Sequence, residues 1–234
     1  MPQTVSLSFY RFASPWARMW AFAMMGLAKG PIAQTPDIGF WKLCGSGKGE
    51  GFTPRLYPDV FAILATWPNA ETAKARLNET PIFQRYASKA DENWTVFLTP
   101  TSTRGHWSGE EPFEAQQDAT GALAALTRAT IKPKIITRFW GRVPNISDMI
   151  GQNTDVAFKI GIGELPLFQQ VTFSIWPSKA AMDGFARTGP HAEAIKAVRE
   201  DGWFKEELYA RFVVQSDSGT WGGKSPLDQL EVAA

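Results

Sequence analysis

The sequence holds one cysteine, two histidines, four tyrosines and no block of like charge, and each scarcity removes a class of function. With Cys44 alone there is no internal disulfide and no cysteine-built zinc or iron–sulfur centre, which fits a reducing compartment. Two histidines, His106 and His191, are too few for the usual mononuclear zinc or non-haem iron site. Basic and acidic residues number 24 and 23, for a net charge of +1, and their even spread argues against nucleic acid as the partner. The most membrane-like stretch, Met19 to Ala28, lies between Arg18 and Lys29 and is about half the ~20 residues that span a bilayer. A strand-like segment with Arg11 precedes it where a signal peptide would need its apolar core. The expectation is a cytoplasmic protein, with contact at a membrane surface left open.

What is abundant is aromatic surface without hydroxyls: 10 Trp and 16 Phe, suited to an apolar core or a greasy ligand. The chain is also written twice. Thr66-Trp67-Pro68-Asn69 returns 109 residues on as Ile175-Trp176-Pro177-Ser178, carrying Asn69 onto Ser178, both helix N-caps, and Pro81 onto Pro190. Gly105-His106-Trp107-Ser108-Gly109 returns 114 residues on as Gly219-Thr220-Trp221-Gly222-Gly223. Strand-like segments at Val5–Phe12, Gly39–Gly45, Asp59–Trp67 and Trp94–Thr101, with helices after Ser14-Pro15 and Asn69, give the order β-α-β-β-α-β. The fold class expected is α+β: two fused ferredoxin-like units forming an α+β barrel. Residues 1–101 make the first unit and 102–133 a connector with an alanine-rich, helix-like segment at Ala119–Ala129. Residues 134–234 make the second unit, opening with a strand at Lys134–Gly141. The Trp16–Leu27 helix is expected to be buried round much of its circumference and to stop at Gly30-Pro31, a membrane-surface helix being the other reading.

Few residues could carry chemistry. His106 reads as a solvated loop residue. His191, whose repeat partner is Ile82, falls with Ile195 and Val198 on one helical face, so it reads either as a core histidine or as the axial ligand of a haem, which needs one protein ligand and an apolar slot. The helix N-terminus favours a neutral ring there. Cys44, aligned with Gly161, is the rival ligand and reads more simply as a small strand residue packed between the units. Arg138 and Arg211 lie in expected strands, where a guanidinium needs a partner or a role. Each could form a salt bridge, or hydrogen-bond to bound dioxygen or a propionate. Gly45-Ser46-Gly47-Lys48-Gly49 lacks phosphate-loop spacing and reads as a flexible connection between strands.

Met24-Met25-Gly26-Leu27-Ala28, Gly39-Phe40-Trp41-Lys42-Leu43-Cys44-Gly45-Ser46-Gly47, Gly49-Glu50-Gly51-Phe52-Thr53-Pro54, Trp94-Thr95-Val96-Phe97-Leu98, Gly105-His106-Trp107-Ser108-Gly109 and His191-Ala192-Glu193-Ala194 through Gly202-Trp203-Phe204 together resemble the spheroidene monooxygenases, carotenoid ketolases of bacterial photosynthetic pigment synthesis. The resemblance runs from about Val5 to Gly223. It implies a haem b enzyme that takes electrons from reduced ferredoxin and, with dioxygen as co-substrate, hydroxylates an acyclic carotenoid twice at C2 to give a ketone through a geminal diol. It further implies an architecture similar to chlorite dismutases and aldoxime dehydratases, which hold haem through a histidine on a helix of the second unit. That assigns His191 to the iron, with Ile195 and Val198 beside the cofactor; it assigns nothing on the other side, where Arg138 and Arg211 are candidates only from their expected strands. Peripheral contact with the photosynthetic membrane follows as a further expectation. Two other readings stay open, a cofactor-free α+β-barrel monooxygenase and a non-catalytic carrier of haem or another lipophilic ligand.

Overall fold

The computed structural model describes residues 2–47, 59–117, 119–141, 156–165, 167–186 and 201–231. Its first half runs β1 (Thr4–Arg11), α1 (Pro15–Leu27), α2 (Lys29–Ala33), β2 (Trp41–Ser46), β3 (Val60–Trp67), α3 (Ala70–Glu79), α4 (Pro81–Lys89) and β4 (Glu92–Gly105). Its second half supplies β5 (Leu123–Ile131), β6 (Phe158–Leu165), β7 (Gln169–Trp176), α5 (Lys179–Ala186) and β8 (Phe204–Gly219), before a short α6 (Asp228–Glu231). The eight strands close into one antiparallel barrel in the order β1-β3-β2-β6-β7-β5-β8-β4. Each half contributes four adjacent strands, and the halves meet along β4/β8 and β2/β6, as the repeat requires.

Alternation decides what fills the barrel. Inward residues such as Leu7, Phe9, Val96, Leu126, Ile160, Phe173 and Phe212 form one buried cluster. The outward residues of β1–β4, among them Tyr10, Phe12, Leu43, Phe61, Ile63, Trp67 and Phe97, form a second cluster beneath α1–α4. Local signals place the helices: the Ser14 hydroxyl accepts from the Ala17 N–H at 3.1 Å, and the Asn69 side chain accepts from the Thr72 N–H at 2.8 Å. Ser178 repeats the Asn69 cap, accepting from the Ala181 N–H at 3.2 Å.

The two Trp turns close opposite ends of the barrel by the same device. Gly105 and Gly219 end β4 and β8 with φ of 96° and 86°. A Cβ on Gly105 would strike the Glu207 carbonyl, and one on Gly219 the Asn93 carbonyl, so both close approaches need glycine. Glu92 accepts from the Gly223 N–H at 2.8 Å and pairs with Arg11 at 2.6 Å, whose guanidinium lies 4.1 Å from the Trp221 ring centre. At the other end Glu206 accepts from the Ser108 and Gly109 N–H groups and pairs at 3.2 Å with Arg128, which lies 5.8 Å from Trp107.

Three local expectations are corrected. The alanine-rich segment is not a helix but holds strand β5, because its alternate residues Ala124, Leu126 and Arg128 point into the barrel; the second unit's strands therefore begin inside residues 102–133. Lys134–Gly141 is not a strand: a 3-10 turn at Pro133–Ile135 leads into α-helix over 136–141. Gly30-Pro31 does not stop helical structure but sits in the first turn of α2, where proline's missing N–H has no helical partner to lose.

Candidate functional site

The ladder registers map each strand of the first half onto one of the second, and the outward faces differ. Phe61, Ile63 and Ala65 of β3 correspond to Gln170, Thr172 and Ser174 of β7. Tyr10 opposes Phe61 and Ala129 opposes Gln170, so Tyr10 maps to Ala129. Leu43 opposes Ile63 and Gly161 opposes Thr172, so Leu43 maps to Gly161. Phe97 maps in the same way to Arg211. The second sheet has thus exchanged bulky apolar side chains for glycine, alanine, uncharged polar groups and one arginine on the face where the first sheet packs its helices. Ile82, the repeat partner of His191, is buried in that packing in the first unit. His191, Ile195 and Val198 lie outside the described residues.

The two arginines singled out by sequence part company. Arg211 lies in β8 as expected, points outward between buried Ala210 and Phe212, and reaches Asp183 of α5 at 3.6 Å. Arg138 is helical instead, more than half exposed, and bound to Asp201 at 3.0 Å beside the Trp203 ring. No contact among the described residues joins it to Arg211. Cys44 is buried inside the barrel, where burial first and the Glu164 charge second push its thiol far above the ordinary range, against a thiolate ligand. Its true repeat partner is Ile162, not Gly161, since Cys44 opposes Ala62 and Ile162 opposes Val171. His106 is half exposed, with Nε2 3.3 Å from Glu111. Among the described residues no group of three metal-ligating side chains converges.

Sequence reading missed Arg128. It takes the inward position that Phe9 holds in the first unit, is fully buried, and approaches Glu164 at 3.6 Å as well as Glu206. The Trp107 indole donates to Glu164 at 2.7 Å and Lys42 lies 3.4 Å from the same carboxylate. A cavity of about 800 Å³ starts at this polar mouth, where Lys42 and Glu164 line it, and runs past Phe40 and Leu43 to Phe22, Met25 and Gly26 of α1. It lies where β2 outruns β6, the two strands pairing only at Gly45–Gly163 and Ser46–Ile162.

Comparison with known proteins decides the family. The chain is 52% identical to the spheroidene monooxygenase of Cereibacter sphaeroides, over 99% of this chain and 72% of that protein. It is 46% identical to that of Rhodobacter capsulatus, over 95% and 94% of the two chains, and 34% identical to that of Rubrivivax gelatinosus. The chain belongs to the spheroidene monooxygenase family. No family model matches it. Two aldoxime dehydratase structures, one with bound butyraldoxime, match this family member's fold with TM-scores of 0.61 and 0.62 at 11% and 10% identity, covering 92% and 91% of the chain and 82% and 80% of theirs. At that identity they establish a shared barrel and nothing of its chemistry. No described helix of this spheroidene monooxygenase family member is long and apolar enough to cross a membrane.

Proposed function

We propose that the protein is a haem-dependent carotenoid monooxygenase, hydroxylating an acyclic carotenoid twice at C2 to a geminal diol that loses water to leave a ketone, with electrons from reduced ferredoxin. Family membership supports the carotenoid and the reaction type. The observation that carries the haem is the pared outer face of the second sheet. Where Tyr10, Leu43, Phe61, Ile63 and Phe97 fill the first unit, Ala129, Gly161 and Thr172 are smaller and Gln170 and Arg211 polar, a change that would make room for a planar macrocycle and its propionates. The repeat supports His191 as the ligand, since it aligns with Ile82 in sequence, with Ile195 and Val198 four and seven residues further along.

When bound, haem would supply the dioxygen activation that an unactivated C–H bond requires. In this reading the chain's residues divide the remaining work. The His191 imidazole would hold the iron, a role that needs its neutral form. Arg211 presents N–H donors from β8, steadied by Asp183, to a propionate or to the oxygen side of the group. Arg138, tied to Asp201 at the surface, is not retained in that role. Trp and Phe side chains bind the polyene by apolar burial and exclude water. Substituting His191→Ala should abolish the Soret absorption of the purified protein while far-UV circular dichroism and the melting temperature persist. Normal haem occupancy in that variant would overturn the assignment, and turnover by wild-type protein without a Soret band would favour the cofactor-free reading.

A further inference from the structure

Helix α1 is apolar on two faces and the protein covers only one of them. Only Ala21 and Met24 of its thirteen residues are buried, whereas Trp16, Met19, Phe22 and Leu27 are 78%, 61%, 68% and 69% exposed. The expectation of a helix buried round much of its circumference is therefore wrong: Ala17, Trp20, Ala21, Met24 and Met25, with Ala28 just beyond, face the sheet and its helices, while Trp16, Met19, Phe22 and Leu27 face out. Leu165 is the one other large apolar side chain so exposed among the described residues. At 100° per residue Phe22, Gly26, Met19, Ala23, Trp16 and Leu27 fall in one unbroken arc. Scattered apolar residues on a surface are ordinary, but a contiguous stripe of this size marks a contact surface.

Charge identifies the occupant. Residues 1–36 contain neither Asp nor Glu, and besides Arg11, which Glu92 neutralises, they carry Arg18 and Lys29. Neighbouring α4 adds exposed Arg85 and Lys89, the latter 5.4 Å from the Trp20 ring centre. Of the acidic groups near α1 and its cavity, Asp91 accepts from the Ala13 N–H, Glu164 pairs with Lys42, and Glu110 is exposed at the cavity, off the helix itself. A second copy set against this stripe would bring like charges together with no acid on the stripe to match them. An apolar arc with a Trp near one end and basic flanks is complementary to the interface of an anionic lipid leaflet.

We propose that α1 docks the protein on an anionic bilayer surface, its Trp16, Met19, Phe22 and Leu27 entering the headgroup boundary, so that the cavity sharing Phe22 receives its lipophilic substrate directly from the membrane. The substrate clause rests on the carotenoid reading above; the docking clause does not. The test is sedimentation of the full-length protein with phosphatidylcholine vesicles, with and without phosphatidylglycerol. Binding to the anionic vesicles, weakened by salt, is expected. Replacing Trp16, Phe22 and Leu27 together by Ser should lower partitioning about a hundredfold, and Lys29→Glu about tenfold, with melting temperature and Soret absorption unchanged. Protein left in the supernatant, equal binding to neutral vesicles, or undiminished binding of the triple variant would overturn the proposal. So would a dimer mass in light scattering that the triple variant reduces to a monomer. Vesicle binding without a Soret band would instead count against the haem reading and leave the docking intact.

Discussion

The two halves of this barrel share strand order, helix caps, Trp turns and the Glu that receives each turn, yet they treat their outer faces in opposite ways. In the first half the outer face is a core: Tyr10, Phe12, Leu43, Phe61, Ile63, Trp67 and Phe97 are buried against helices. In the second half the matching positions are small or polar, and Thr172, Ser174, Gln170 and Arg211 are only half buried. A duplicated scaffold has kept one copy as a stabilising layer and pared the other, and stability is what paring gives up. The lesson is that a repeat locates function by where its copies stop agreeing in side-chain volume, while the strand order agrees.

The largest test refills the pared face. Gly161→Leu with Thr172→Ile restores the residues of the first unit, and the pair should remove haem from the purified protein, read as loss of the Soret band, while melting stays at or above the wild-type temperature. A double variant that keeps its cofactor would mean the pared face is not where the group lies. The converse change in the first half, Phe61→Ala, should cost about 3–5 kcal/mol in urea unfolding, because a ring surrounded by packed side chains leaves a cavity. In that variant haem per folded molecule should not change. A Phe61→Ala variant as stable as wild type would show the first outer face to be as loosely packed as the second, and the contrast between the halves would fail.

Much of this was legible in sequence because duplication supplies an internal control. The 66–69 and 175–178 motifs fixed β3 and β7 with their caps, and from them the β-α-β-β-α-β order and the barrel follow. Legibility failed where landmarks were absent. β5 was masked by alanine, whose helix propensity says nothing of the tertiary pairing that made Leu123–Ile131 a strand. With the strand unseen, Arg128 could not be recognised as an inward-facing charge. Cys44 was aligned one residue off because the β2–β3 and β6–β7 connections differ in length, and a slip of one flips a strand residue to the other face. Helix α1 is apolar almost all round, so periodicity could not say which side the protein covers; Ala21, Met24 and Ala28 buried in the cluster beneath it answered it. Arg211 was readable from strand parity alone, whereas Arg138 fell in a segment whose helical turn opens at Pro133.

The smallest effect separates the two barrel ends, which share a plan but not an environment. At one end Arg128 is fully buried between Glu206 and Glu164; at the other Arg11 is about a third exposed beside Glu92. Partial burial of Glu92 opposes its charge, but the N–H groups of Gly223 and Gly222, the Arg11 guanidinium and the Thr220 hydroxyl outweigh it and hold the carboxyl below its ordinary value. A depressed carboxyl contributes stability that is fully present above its unfolded-state pKa and disappears as pH falls through its folded-state value. Glu92→Gln should therefore lower stability by about 1 kcal/mol at neutral pH, and the gap from wild type should close in acid. Thermal melts of both proteins across the acidic range measure it. Curves that stay parallel down to the lowest pH would show that the Gly219–Gly223 turn is held by backbone geometry and by Trp221 rather than by the charge beneath it, making the two ends alike in shape alone.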